Sequence, residues 1–596
     1  MKSAPLLVTL LVACSHSAGP ANDHPGPTTP TAAPDPAGTT AAPAPGAHAV
    51  TLSIIGTNDL HGAIERLPLF AGFMANLRAA RAADGGGVVL LDGGDMFQGT
   101  LESNLGEGAD IVRAYNYLGY TAVAVGNHEF DYGPVGPAAT PRPGEDARGA
   151  LKARASEAKF PFVVSNILDE ATGARIDWPN MPAGTLAVVA GIKVGVIGAS
   201  TESTPYTTMP INFVGLKMAP AAAAIAAEAS RLRDQGAQVI VATMHIGSNC
   251  KDVEHHDDAS SCDRSEEIFK VIGGLPKGTV DVIVGGHTHA GMAHKIDGIA
   301  VIESYANGRA FGRVDLTIGP DGRVAAAKID RPHLMCALDK DHNPVPVAQC
   351  EPGSYEGKPV VPDPEVQKIV DAAVARAAER RKELLGITVT RTVTRAHAVE
   401  SAEGNLISDL MLAARPDAQL TMTNGGGLRA DLPAGQLTYG QLFEAAPFDN
   451  RFAIVDLTGK DLRKMISSNL RHAGGILSFG GLTARARCQG KKLELEIRVG
   501  GKPIGDATHY KLATSDFLAS GGDGVVGKLK LPDGAVQMTD VIIRDALADV
   551  LRGWKGTPRA TIDPGKLVSK QAPRLDYEGK RPVSCGGAAP DQEPGE

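Results

Sequence analysis

The stretch Tyr120–Gly133, YTAVAVGNHEFDYG, runs from small and β-branched residues straight into Asn127, His128, Glu129 and Asp131. Such side chains bind metals and carry protons, and the pattern recurs along the chain. Asn58, Asp59 and His61 follow LSIIGT, Asp95 follows VVLLDGG, His245 follows VIVATM, and His287 and His289 follow DVIVGG. Taken singly, Asp59, His61 or His245 is an ordinary capping or core group, GGD is a turn, and GHTH is a weak metal cue. Five apolar runs all ending this way is a different matter. The two carboxylates Asp59 and Asp95, the amide Asn127 and the four histidines His61, His245, His287 and His289 are enough to hold two divalent ions. Mixed oxygen and imidazole ligands suit zinc, manganese or iron. Asp95, one of only two acids in this set, is the expected bridge between the ions.

The elements that must position these groups are strands. From Val50 onward, continuous apolar runs alternate with Ala-rich helical patterns. That alternation implies an α/β fold whose sheet is covered on both faces. In such sheets the working crevice lies outside the carboxyl ends of the strands, the one edge where all five groups can meet. This layered domain is expected over residues 49–335. A linker and a bridging helix follow over 336–386, with Asp363 as N-cap, Pro364 at the first helical position and Gly386 as the stop. Val366, Ile369, Val370, Ala373, Val374 and Ala377 form its apolar stripe. A second, mixed α/β domain is expected over 387–575 and a polar tail over 576–596.

At 596 residues the chain is long enough for two sizeable cores, and 43% hydrophobic with 21% charged residues is a globular composition. The formal net charge of −8 argues against a general binder of nucleic-acid polymers. The start, MKSAPLLVTLLVAC, reads as an export signal over residues 1–14, its apolar run too short to span a bilayer. Leu11-Val12-Ala13-Cys14 resembles a bacterial lipoprotein box, so lipid on Cys14 would hold the protein to a membrane, and Ser15 fits outer-membrane sorting. Residues 15–48 are rich in Pro, Ala, Thr and Gly and are expected to form a disordered tether. In a chain exported to the periplasm or cell surface, the remaining six cysteines are expected to pair. Six allow 15 connectivities; Cys250–Cys262, Cys336–Cys350 and Cys488–Cys585 are favoured because the first two close short loops. The segment between Cys250 and Cys262, rich in His and Asp, reads as a solvated loop pinned by its disulfide.

TNDLHG, DGGDMFQGT, GNHEFDYG and GGHTH resemble, in order, the motif series of the calcineurin-like metallophosphoesterases, and more closely that of the 5′-nucleotidase family. NGGGLRADLPAG, YGQLFEAAPFDN and FLASGGDG resemble that family's C-terminal substrate-binding domain, and the likeness covers residues from about 50 to 555. The resemblance implies an αββα-type first domain and hydrolysis of nucleoside 5′-monophosphates by metal-activated water. It implies one metal held by Asp59, His61, Asp95 and His289, and a second held by Asp95, Asn127, His245 and His287. His128 and Asp131 match the family's catalytic dyad. Asn424, Gly427 and Arg429 are implied to meet the phosphate or sugar, Phe448 and Phe517 to sandwich the base, and Asp523 to bind ribose hydroxyls. The bridging helix is implied to act as a hinge.

One segment departs from the family pattern. Before EGNLISDL, where arginines commonly anchor the substrate phosphate, this chain reads RAHAVESAEGN, with His397, Glu400 and Glu403. Only Arg395 is near. A 2′,3′-cyclic-nucleotide phosphodiesterase or UDP-sugar hydrolase on the same scaffold, or a surface binding protein that keeps its metals without catalysis, are the rival readings. No protein partner is expected.

Overall fold

The computed structural model describes residues 49–136, 141–142, 144–338, 345–569 and 571–585. The signal, the tether, Cys14 and residues 586–596 of the tail lie outside them. Among the described residues, no helix is long and apolar enough to cross a membrane.

The apolar runs become the strands of two six-stranded sheets. The first is ordered Val324–Leu334, Ala310–Ile318, Val50–Thr57, Gly87–Asp92, Ala122–Ala124, Phe162–Val163. The second is ordered Gly291–Ile296, Ile299–Ser304, Val282–Val284, Val239–His245, Ile192–Ser200, Gly184–Val189. Within each sheet the central strands run parallel, so their carboxyl ends share one edge. The sheets pack face to face through Leu52, Ile54, Val89 and Leu91 of one and Val196, Val239, Val241 and Val284 of the other. Burying each such side chain contributes roughly 1.5–3 kcal/mol. Helix Leu67–Ala83 covers the outer face of the first sheet, and helices Ala221–Asp234 and Glu267–Gly274 cover the second. This is the αββα sandwich the resemblance implies, and its strands read as unbroken apolar runs because both faces are buried. The sheets approach so closely that a Cβ on Gly198 would lie 1.9 Å from the Val163 carbonyl oxygen.

The second half of the chain builds a five-stranded sheet, ordered Leu477–Gly480, Leu420–Asn424, His509–Ser515, Arg451–Thr458, Val536–Ile542, with smaller sheets beside it. Its helices start where the local chemistry allows. Ser401 caps Ala402–Ala414 by accepting from the Gly404 amide, and Thr438 and Thr458 each form a capping box.

The bridging helix spans Pro364–Lys382, capped by Asp363. It does not run to Gly386. From Leu384 to Val389 the chain is a strand, paired with Gly435–Thr438 and Thr561–Ile562, and Gly386 takes a φ of 75° within it. Leu385, Ile387 and Val389 alternate inward, and that period of two overrides the helical reading. Of the stripe, Val366, Val370, Ala373 and Ala377 are buried, while Ile369 and Val374 are partly so. The start of the tail is also structured. Leu575–Tyr577 pairs with Leu482–Gln489, Val583 is buried, and Arg581 donates to the carbonyls of Asn469, His472 and Gly475. The three disulfides pair as the loop-closure argument favours: Cys250–Cys262, Cys336–Cys350 and Cys488–Cys585.

Candidate metal centre and substrate cleft

Every strand end expected to carry a ligand lies on the same edge of the sandwich. Thr57, Asp92 and Ala124 end strands of the first sheet, and His245 and Val284 end strands of the second. The groups that follow gather at the seam between the sheets.

They gather as two clusters that share Asp95. In one, Asp59, His61 and His289 converge; the Nε2 atoms of the two histidines are 2.9 Å apart, and Asp59 Oδ1 is 3.3 Å from His289 Nε2. In the other, His245 Nε2 lies 3.1 Å from Asp95 Oδ2, 3.0 Å from Asn127 Oδ1 and 3.2 Å from His287 Nδ1. Asp95 Oδ2 also lies 3.9 Å from His61 Nε2, placing this carboxylate oxygen between the clusters.

The hydrogen bonds behind the ligands show what the clusters can take. His61 Nδ1 faces the Gln98 carbonyl at 3.0 Å and His245 Nδ1 faces the Gly93 carbonyl at 2.9 Å. A carbonyl can only accept, so each ring donates there and turns the lone pair of its Nε2 inward. The inward ring nitrogens and carboxylate oxygens then face one another across the seam, with the Arg429 guanidinium reaching in at His61. Asp59 Oδ1 is fully buried and has no hydrogen-bond partner. Apposed acceptors of this kind fit divalent cations.

The backbone is bent to make this arrangement. Asp59, His61, Asp95, His287 and His289 all have positive φ, between 47° and 82°. A non-glycine residue there costs on the order of 1 kcal/mol. The clustered groups also set one another's charge: burial opposes charge on His245, but Asp95 beside it outweighs that and raises it to about 10. Burial and the neighbouring His289 and Arg429 hold His61 well below the usual imidazole range, and burial with His245 alongside pushes His287 down to about 3. Burial works against ionising Asp59 and Asp95, yet His289 beside the first and His245 beside the second keep both below the usual carboxylate range.

Next to the clusters, His128 Nδ1 lies 2.6 Å from Asp131 Oδ2, while Thr208 donates to the other oxygen of Asp131 at 2.9 Å. Nε2 of His128 faces Asp95 Oδ2 at 4.0 Å. Burial would lower the His128 pKa, but Asp131 and Asp95 outweigh it and raise it.

Across the cleft stands the second domain. Arg429 Nη2 reaches to 3.4 Å from His61 Nε2, and the Phe448 ring lies 5.4 Å from the His128 ring, centroid to centroid. Phe448 and Phe517 are both half-buried and line the same cavity of about 1470 Å³. Phe517 rests against Gly522, where a Cβ would meet its ring at 2.5 Å. Asn424 donates to Asp523 at 2.6 Å, and a Cβ on Gly427 would come within 2.8 Å of the Asn424 amide oxygen. His397 and Arg395 line the cleft as well, while Glu403, in the first turn of helix Ala402–Ala414, is buried with neither carboxylate oxygen bonded. All fifteen candidate residues therefore fall around one cleft.

Sequence reasoning gave no role to the residues that brace them. Glu129, inside the opening motif, accepts from the amides of Asp95, Met96 and Gly126 at 2.7–2.8 Å. Asn58 donates to Asp59 Oδ2 and to the Tyr305 carbonyl, and accepts from the Ser304 amide. Asn127 donates to the Thr207 carbonyl. Glu129 and Asn58 carried a signal, since each lies in a motif with a ligand; Thr207 and Thr208 carried none.

Two family models match the chain: "Calcineurin-like phosphoesterase" over residues 52–291 and "5'-nucleotidase, C-terminal domain" over residues 376–529. Protein UshA of Escherichia coli is 26% identical over 510 residues, covering 79% of this chain and 86% of its own. A 5'-nucleotidase of Vibrio cholerae is 27% identical over 513 residues, covering 79% and 85%. The fold matches the crystal structure of a 5'-nucleotidase precursor from Thermus thermophilus with a TM-score of 0.67, at 24% identity over 88% of this chain and 99% of that one.

Proposed function

Because the chain belongs to the 5′-nucleotidase family, joining a metallophosphoesterase domain to a 5′-nucleotidase C-terminal domain, we propose that it hydrolyses nucleoside 5′-monophosphates to nucleoside and phosphate. The observation that carries the reading is the pair of ligand clusters sharing Asp95, faced across one cleft by an arginine and two aromatic rings.

Asp59, His61, Asp95 and His289 would hold one divalent ion, and Asp95, Asn127, His245 and His287 the other. Bound there, the ions supply Lewis-acid polarisation of the phosphoryl group and a water acidified enough to attack phosphorus near neutral pH. The chain's own residues do the rest. Asp131 fixes the His128 ring by accepting from Nδ1, so the His128 Nε2–H is free to steady charge on the phosphoryl group or the leaving oxygen. Arg429 neutralises the substrate's anionic side. Phe448 and Phe517 grip the base, a contact that tolerates any base because each presents a π-face. Asp523, steadied by Asn424, accepts from ribose hydroxyls, and Gly427 leaves the Asn424 amide uncrowded. Residues 49–335 and 387–575 are the catalytic and substrate-binding domains, and rotation about the bridging helix carries substrate between them. The three disulfides support an exported enzyme. Lipid on Cys14 would tether it to the outer membrane.

The test is product release by residues 49–596 loaded with manganese or zinc. The substrates are AMP and other 5′-monophosphates, ATP, a 2′,3′-cyclic nucleotide and UDP-glucose, the last two followed by chromatography. Monophosphate turnover that collapses in His128→Ala is expected. Turnover of the cyclic or sugar compounds alone would overturn the substrate, and silence with two metals bound would overturn catalysis.

A further inference from the structure

A sixth strand reaches the ligand-bearing edge without bringing a ligand. Ile299–Ser304 pairs in parallel with Val282–Val284, so its carboxyl end emerges beside the His287-Thr288-His289 loop. Its penultimate residue is Glu303, which is 1% exposed. One oxygen of Glu303 accepts from the Thr288 amide at 3.2 Å and from the Thr288 hydroxyl at 2.7 Å. The other accepts from the Ser248 amide at 3.2 Å. The carboxylate is also pressed onto the loop after His245, since a Cβ on Gly247 would lie 2.1 Å from it.

Thr288 separates two histidines, one in each cluster. Ser248 lies three residues beyond His245, a ligand-type residue of the second cluster. A single buried side chain thus ties down the two loops that carry three of the four ligand histidines. His287 and His289 both hold positive φ, at 82° and 57°. Strained backbone of this kind persists only when its surroundings over-determine it, and Glu303 is the side chain that bonds the residue between them.

We propose that Glu303 is a positioning residue for both metals, setting the aim of His287 and His289 through Thr288 and of His245 through Ser248. The proposal rests on the dinuclear reading above. It requires an acceptor at both oxygens. Glutamine would set an NH2 group against either the Thr288 or the Ser248 amide and lose one arm, while alanine loses every arm.

The experiment measures metal affinity, not turnover. Protein covering residues 49–596 is stripped, then equilibrated with manganese across graded chelator, and bound metal is counted for wild type, Glu303→Ala, Glu303→Gln, Thr288→Val and Thr288→Ser. Outer bonds of this kind are typically worth about 10–100-fold in metal affinity. Glu303→Ala is expected to lose that much at both ions, Glu303→Gln less, and Thr288→Val several-fold, with Thr288→Ser close to wild type because it restores the hydroxyl. Melting of the metal-free forms separates aim from folding: the affinity loss should exceed any drop in Tm. Wild-type affinity in Glu303→Ala would overturn the proposal, as would loss that merely tracks the metal-free Tm. Should Glu303→Ala not fold, equal affinities in Thr288→Val and Thr288→Ser would overturn it. A wild-type protein that binds no manganese or zinc would sink this proposal and the dinuclear reading together.

Discussion

His128 and Asp131 lie three residues apart in one short turn, so their 2.6 Å contact is made locally, while Thr208 fixes the pair from a distant loop. His128→Ala should lower kcat by about 10²–10⁴ while leaving bound metal unchanged. Metal counting beside steady-state kinetics checks this, and loss of metal with the activity would reassign His128 as a ligand. Glu403 makes a different prediction. Burial, with Asp431 nearby, pushes its carboxyl from 4.5 up to about 9, and neither oxygen has a hydrogen-bond partner. A raised carboxyl pKa means the folded protein holds a proton that the unfolded chain releases, so stability falls as pH rises between about 4.5 and 9. Glu403→Gln should therefore raise stability by on the order of 1 kcal/mol at about pH 8 and by little near the lower end of that range. Thermal melts at both values decide; an equal shift at each would refute the assignment.

At the scale of elements, the cleft divides labour between strand ends and loops. The first half of the chain delivers its candidate ligands from the ends of parallel strands. The second delivers Phe448 from the loop after helix Tyr439–Ala445 and Phe517 from the short helix Asp516–Ala519. Replacing either ring by alanine should raise KM for 5′-monophosphates about 5- to 150-fold, since stacking is worth roughly 1–3 kcal/mol per base. Hydrolysis of a phosphate ester without a base should barely change. A uniform loss on both substrates would mean the rings are structural.

Over the whole molecule, the bridging helix ties both halves together through charge. Arg381 donates to both oxygens of Glu102 at 2.6 and 2.7 Å and to Glu444 at 2.6 Å, one carboxylate from each half of the chain. Glu102 is 3% exposed, so Arg381→Met would strand a buried carboxylate. A loss of about 2 kcal/mol is expected, below the value for a fully buried pair because Arg381 is 31% exposed. Urea unfolding measures it, and no change would show that the contact is not made in solution. Metal removal acts at the same scale. Ions that bind only the folded state add RT ln(1 + [L]/Kd), about 2.7 kcal/mol at a hundredfold excess over Kd. Stripping them should lower Tm and abolish turnover, and manganese should restore both.

By itself the sequence determined the layered α/β fold and which candidate side chains follow its strands, because strands buried on both faces must read as apolar runs and chemistry gathers where they end. It also reached the three disulfides, two of them across separations of 12 and 14 residues, short enough for local reasoning, with the third pairing the cysteines that remain. Only the tertiary structure decided the rest. Arg429 meets His61 across 368 residues, a distance no spacing rule spans. Glu303 sits in no motif of the sequence, and its bonds to Thr288 and Ser248 exist only because its strand ends beside the His287–His289 loop. The bridging helix stopped early for the same kind of reason: Leu384–Val389 found partners in two strands remote in sequence, and that pairing outweighed local helical preference.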